Sequence, residues 1–244
     1  MASFLMESVS EILHRIADVV HPDDQTEELS YRARLNGYLW DIYSRIRRIR
    51  KRQIHLTFDD GPHPINTPHL LDVLKLAGIQ ATFFVVGDQL ETPLGQELIH
   101  RAAAEGHQIG NHTYSHPHLT ELAEDQIREE ILRTEHLIGC AGRGIRVLRP
   151  PFGERNSLVD HVVEKLGYRV MLWDVDTCDW NPQYHSFWVE HAMQQIVTRE
   201  QSIVLAHDIQ NTTVTQVEAL ISQIRRLSGS SFVGHAQAIT ASRN

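Results

Sequence analysis

Apolar positions follow two different periods along the chain. Over residues 3–20, Leu5, Val9, Ile12, Leu13, Ile16, Val19 and Val20 recur at helical spacing. His21-Pro22-Asp23-Asp24 ends that pattern. A second helical stretch runs through Tyr31, Leu35, Leu39, Ile42 and Ile46. It closes on Arg45, Arg47, Arg48, Arg50, Lys51 and Arg52, cations well placed at a helix C-terminus. From residue 53 short β-type runs take over, at Ile54–Phe58, Ala81–Val86, Gln108–Gly110, Ile145–Leu148, Val170–Val175, Ser202–Ala206 and Ser231–Val233. Helical patterns lie between most of them, at 67–77, 93–105, 120–138, 156–166, 185–198 and 213–227. Gly78, Gly106 and Gly167 stand where helices should stop.

Alternation of this kind predicts an α/β fold, a parallel sheet covered by helices. Some seven strands can close into a barrel, complete or interrupted. Residues 1–52 read as an amphipathic helical arm packed on a domain spanning 53–244, or as a subunit or membrane-surface contact. No internal repeat, low-complexity tract or linker divides the chain.

Composition narrows the function classes. At 244 residues, with 41% apolar and 22% charged residues, the chain can build one sizeable core and does not read as disordered. A formal charge of −8 disfavours nucleic acid as a partner, because phosphate binding relies on a positive surface. Cys140 and Cys178 make neither a disulfide framework nor a CxxC zinc pattern, and leave the redox compartment open. No apolar run approaches the ~20 residues of a membrane span. Glu7, Glu11, Arg15 and Asp18 interrupt the first twenty residues, a poor secretory signal. The expected location is therefore cytoplasmic or membrane-peripheral, or exported if the chain has been trimmed.

Histidine stands out, with 16 residues and a cluster between Asn111 and His118. In parallel barrels the active site forms where strands end. Chemically suggestive residues do follow the expected strands: Asp59-Asp60, then His112 and His116, Arg149-Pro150-Pro151, Asp176 with Asp179-Trp180, and His207-Asp208. Adjacent side chains of a strand point to opposite faces. Gly61-Pro62 breaks the strand, however, and lets both aspartates turn into the barrel mouth. Alone, such a string is more often a turn. His112 and His116 are spaced to share one side of a helical turn, within reach of one ion. With one aspartate they make a His-His-Asp set, the three-ligand pattern of catalytic zinc and related ions. Arg149 could hold a carboxylate base ionised. His207 could protonate a leaving amine, with Asp179 orienting and charging its imidazole.

Together these residues resemble the polysaccharide deacetylases, carbohydrate esterase family four, also called the NodB-homology group. The resemblance covers roughly residues 53–240 and includes five motifs, Thr57–Gly61, His112–His116, Arg149–Gly153, Asp176–Trp180 and Leu205–His207, together with Ala81–Gly87 as a second strand. It implies a deformed (β/α)7-type barrel and a hydrolase that removes acetyl groups from N-acetylated glycans. Asp59 would activate water and pair with Arg149; Asp60, His112 and His116 would bind a divalent metal, zinc first, with cobalt or nickel accepted by similar ligands. The Phe152 N–H would stabilise the oxyanion, Asp179 would tune His207 as general acid, and Trp180 and Leu205 would line the acetyl pocket. Phe152 stands where a tyrosine is often found, and Cys178 where many relatives carry an aliphatic residue. Two rival readings are hydrolysis of a cyclic imide or other non-sugar amide on the same fold, and a non-catalytic carbohydrate-binding module.

Overall fold

The computed structural model describes residues 52–142 and 144–241. The helical arm expected over residues 1–52, and the subunit contact expected there, lie outside the described residues but for Arg52.

Within them the chain runs β1 (Arg52–Asp59), α1 (Asn66–Ala77), β2 (Thr82–Val85), α2 (Pro93–Ala104), β3 (Gln108–Asn111), α3 (Glu124–Ile138), β4 (Val147–Leu148), α4 (Ser157–Lys165), β5 (Arg169–Val170), β6 (Val175–Asp176), α5 (Trp188–Ile196), β7 (Gln201–His207), α6 (Asn211–Arg226), β8 (Ser230–Phe232) and α7 (His235–Ala241). Every strand pair is parallel, in the order β5-β4-β3-β2-β1-β7-β6. β8 pairs with the first residues of β1, and β2 with the last, so the two share one edge of that strand. All strands therefore end on one rim.

Strand periodicity sorts the side chains. Ile54, Leu56 and Phe58 of β1 point outward and pack with Leu70, Leu71 and Leu74 of α1 and with Val217, Leu220 and Ile221 of α6. Full burial of each such side chain contributes about 1.5–3 kcal/mol. A smaller cluster seats α3 and α4 on β4 through Ile127, Ile131, Leu148, Val159 and Val163. His55, Thr57 and Asp59 have the opposite parity and face the lumen. The lumen's apolar part is Phe84, Val147, Met171, Ile203 and Ala238, the last contributed by α7, which covers the floor.

The structure departs from the expected seven strands in one informative place. Val170–Val175, read as one strand, is two, because residues 171–174 leave the ladder. β5 pairs with β4 and β6 with β7, so this four-residue crossing joins the two free ends of the sheet. Its carbonyls find another donor: Arg149 Nε and Nη2 bond the Met171 and Leu172 C=O groups at 2.9 and 3.0 Å. The barrel is thus interrupted at a point that the arginine fills.

Candidate metal centre and active site

The rim is built from backbone as much as from side chains. β1 ends at Asp59, which stands in register with His207 at the end of β7. Registered partners share a face, so the two side chains enter the mouth side by side. Asp60 would ordinarily point away; instead it adopts φ 74°, a left-handed conformation rare outside glycine. That turn, more than the strand break alone, brings the second carboxylate to the same side. Gly61, joined to Pro62 by a cis bond, has no room for a side chain, since a Cβ there would lie 2.0 Å from the Asp208 carboxylate.

His112 and His116 meet, with ring centroids 4.9 Å apart, but not on a helical turn. Residues 112–116 form a loop with left-handed Thr113 (φ 69°) and His116 (φ 57°), which corrects the spacing argument. Glu130 of α3 shapes that loop, accepting from the Tyr114 and Ser115 N–H groups at 2.8 Å each and from the Ser115 hydroxyl at 2.8 Å. His112 Nδ1 lies 2.7 Å from the Arg149 C=O and donates to it, which leaves Nε2 a free lone pair.

The Nε2 atoms of His112 and His116 lie 3.4 and 3.3 Å from Asp60 Oδ1. That oxygen is buried without a hydrogen-bond partner. An orphaned buried carboxylate oxygen facing two imidazole lone pairs fits a divalent cation, and these three side chains form a possible metal site. Burial works against the Asp60 charge, but the imidazoles gathered around it, His112 first, outweigh burial and hold its pKa below the carboxylate range. Burial, with His112 alongside, lowers the pKa of His116, which favours the neutral, ligating form.

Asp59 sits beside the set, its Oδ2 3.6 Å from His112 Nε2. Its other oxygen accepts from Arg149 Nη1 at 2.7 Å, and the same nitrogen bonds the Thr57 hydroxyl at 2.8 Å. Arg149 is fully buried and lies 4.2 Å over the Phe84 ring. In the turn after β6, Asp179 Oδ1 accepts from His207 Nδ1 at 2.7 Å, while its Oδ2 accepts from the His207 N–H at 2.7 Å and from the Thr213 hydroxyl. Burial alone would lower the His207 pKa; the hydrogen bond and charge of Asp179, with Asp59 and Asp60 behind, raise it to about 9.

The other expected site residues fall around this centre. Leu205 is buried and shares the lumen-facing parity of His207, whereas Phe152 and Trp180 are exposed on rim loops. Phe152 is left-handed (φ 60°), and its N–H makes none of the hydrogen bonds described. Cys178 is half-buried, 3.8 Å from His191, and burial raises its thiol to about 11, so it is an unreactive thiol. Asp176 caps the Cys178 N–H instead of entering the centre. Glu130 and Thr213 carry no signal in the sequence; Thr57 and Asp208 do fall in the rim motifs, but without a role of their own. Asp208 is a buried carboxyl raised by desolvation to about 7, accepting from Thr67 Oγ1 at 2.5 Å.

A parallel, interrupted barrel carries on its C-terminal rim an Asp-His-His group that could hold a metal ion, and this defines the class of α/β protein. The comparisons make that class specific. Residues 47–171 match the polysaccharide deacetylase family. Peptidoglycan-N-acetylglucosamine deacetylase PgdA of Listeria monocytogenes is 34% identical over 175 residues, 71% of this chain but 36% of that protein. The chain thus spans little more than a third of that relative's length. A chitooligosaccharide deacetylase of a Bradyrhizobium strain is 37% identical over 159 residues, 64% of this chain and 71% of that one. The structure of peptidoglycan deacetylase PdaC from Bacillus subtilis superposes with a TM-score of 0.70 at 31% identity, covering 80% of this chain and 93% of that chain. The chain belongs to the polysaccharide deacetylase family. No described helix is long and apolar enough to cross a membrane.

Proposed function

We propose that residues 53–244 form the catalytic domain of a metal-dependent deacetylase that hydrolyses the acetamido group of an N-acetylated glycan. One observation carries this reading: a His-His-Asp donor set lies between an arginine-clamped carboxylate and an aspartate-charged histidine, all on one rim. A binding module has no use for the last two. The acetylated sugars named for the relatives, peptidoglycan N-acetylglucosamine and chitooligosaccharide, define the substrate class to try first.

Asp60, His112 and His116 would hold the ion, zinc by preference for this N/O donor set, with cobalt or nickel as substitutes. Bound there, a divalent ion supplies Lewis acidity toward a carbonyl and lowers the pKa of a coordinated water. The protein does the rest. Asp59, paired with Arg149, takes the proton of the attacking water. The unused N–H of Phe152 donates to the oxygen on which charge develops. His207, protonated at neutral pH, gives its proton to the departing sugar nitrogen, and Asp179 stabilises the imidazolium before transfer. Leu205 and Trp180 line the acetyl pocket. No covalent bond to the protein forms.

The test is acetate release from chitooligosaccharides, peptidoglycan fragments and acetylated xylan, with chelated and metal-restored protein side by side. Release from an amide substrate that stops with chelator and returns with zinc is expected. Metal-loaded protein inert on every glycan, yet active on a cyclic imide, would replace the deacetylase by its rival.

A further inference from the structure

Phe152 is anomalous twice over. Its backbone is left-handed, a conformation unfavourable for a bulky side chain, and its ring is 54% exposed. Yet the ring is held on two sides. Its edge packs against the metal-site residue His116 with centroids 4.8 Å apart at 69°, and one face lies on His118 at 4.1 Å and 15°. His118 is itself tied down. Its Nδ1 lies 2.9 Å from Glu154 Oε2, the oxygen that also accepts from the Thr120 hydroxyl at 3.3 Å. Glu154 follows Phe152 by two residues in the same turn, whose N–H groups at Gly153 and Glu154 bond back to Pro150 and Pro151. The clamp therefore runs from the loop after β3 to the turn after β4 and closes on the Phe152 ring.

We propose that His118 is a positioning residue, seated by Glu154 and Thr120, which backs the Phe152 ring and so keeps the turn in the left-handed form that presents the Phe152 N–H beside the metal donors. Without the stack, only the contact with His116 and the two turn hydrogen bonds restrain Phe152 among the interactions described, and relaxation toward ordinary backbone angles would re-aim the peptide planes on either side. The proposal rests on the deacetylase reading for its catalytic meaning, because the N–H matters only if an oxyanion forms next to it. His118 touches no reacting atom in this scheme; it acts through Phe152.

The test uses the full chain reconstituted with zinc. His118→Ala should lower kcat about ten-fold, short of the hundred- to thousand-fold cost of deleting an oxyanion donor outright. KM should stay within about two-fold, since the interaction lost is felt in the transition state. His118→Phe, which restores the stack without the hydrogen bond to Glu154, should recover most of kcat, and Glu154→Gln should lower it less than His118→Ala. Zinc affinity by calorimetry should be the same in all four proteins. Hydrogen exchange of the peptide spanning residues 149–156 should quicken in His118→Ala and return in His118→Phe. Unchanged kcat and exchange in His118→Ala would overturn the proposal. So would a loss carried by KM on long glycans alone, which would make the ring a sugar platform, or a matching loss of zinc affinity, which would route the effect through His116. If the wild type released acetate from nothing, the deacetylase reading would fall, while the exchange comparison would still decide whether His118 holds the turn.

Discussion

The two ends of this barrel handle awkward backbone in opposite ways. Where helices lead back into strands, every left-handed residue among those described is a glycine, as at Gly78, Gly106 and Gly167. Where strands lead out toward helices, five are not: Asp60, Thr113, His116, Phe152 and Cys178. Buried histidines divide in the same manner. At the floor, His55 is satisfied by the Val233 C=O at 2.9 Å and the Thr82 hydroxyl at 2.8 Å, and that hydroxyl also meets His235 at 3.3 Å. These partners are neutral, and burial lowers both histidines to about 4. At the rim, the histidines face carboxylates. One fold thus sets the same residue among neutral partners at one end and among carboxylates at the other, and the strained positions mark which end is which.

The comparison breaks most readily at Asp59 and His112. Asp59→Asn should keep metal affinity and lose activity by about 10²–10⁴-fold, the range for a general base. His112→Ala should lose both metal and activity. Calorimetry with zinc beside acetate release separates the two, and near-normal turnover of Asp59→Asn at saturating metal would remove the base assignment.

Much of this contrast was legible in the sequence. The period-two and helical patterns locate the strands and helices from residue 54 on, and the glycine stops at Gly78, Gly106 and Gly167 are where the helix-to-strand turns fall. That the candidate residues share one rim was legible because parallel strands end together there. What the sequence hid is conformation and distance. Nothing local says that Asp60 turns left-handed, or that His112 and His116 meet across a loop shaped by Glu130 instead of along a helix. Val170–Val175 reads as one strand because its residues suit one; the donors of Arg149, more than twenty positions away, draw its carbonyls out of the ladder. The short helix α7, His235–Ala241, carries too weak a pattern to be expected at all.

The next largest effect concerns the proposed proton donor. His207 reaches about 9 against burial because Asp179 favours its charged form. Removing that partner in Asp179→Asn leaves burial dominant, so the pKa should fall to or below its ordinary value of about 6.5. The basic limb of the kcat/KM profile should then move down by two or more units, and activity at pH 8 should drop while zinc binding stays. A basic limb that did not move would show that His207 is not the acid.

Gly61→Ala sharpens the contrast by sterics. A Cβ would meet the Asp208 carboxylate at 2.0 Å, beside the strained Asp60. Overpacking of this kind costs about 1–3 kcal/mol, and because the turn carries a metal-site residue, zinc affinity should fall with the melting temperature. The floor answers to pH instead. His55 and His235 have folded pKa values near 4, below their unfolded values. Between about 6.5 and 4 the unfolded chain binds the extra protons, so stability should decline as pH falls through that window and level off beneath it. His55→Gln should make the melting temperature fall less steeply over that range.

The smallest effect is the most pointed control. Gly78 ends α1 at φ 65°, and a Cβ there would meet nothing within 4 Å. Gly78→Ala therefore changes only backbone preference: the left-handed conformation costs an alanine about 1 kcal/mol, offset in part by the entropy alanine removes from the unfolded chain. The melting temperature should drop by a few degrees, with kcat, KM and zinc affinity unaltered. At Phe152 the same conformation is backed by His118 and its hydrogen bond to Glu154, and disturbing it should show in turnover. Were Gly78→Ala to slow turnover as well, left-handed backbone would be equally coupled to chemistry at both ends, and the division between floor and rim would lose its basis.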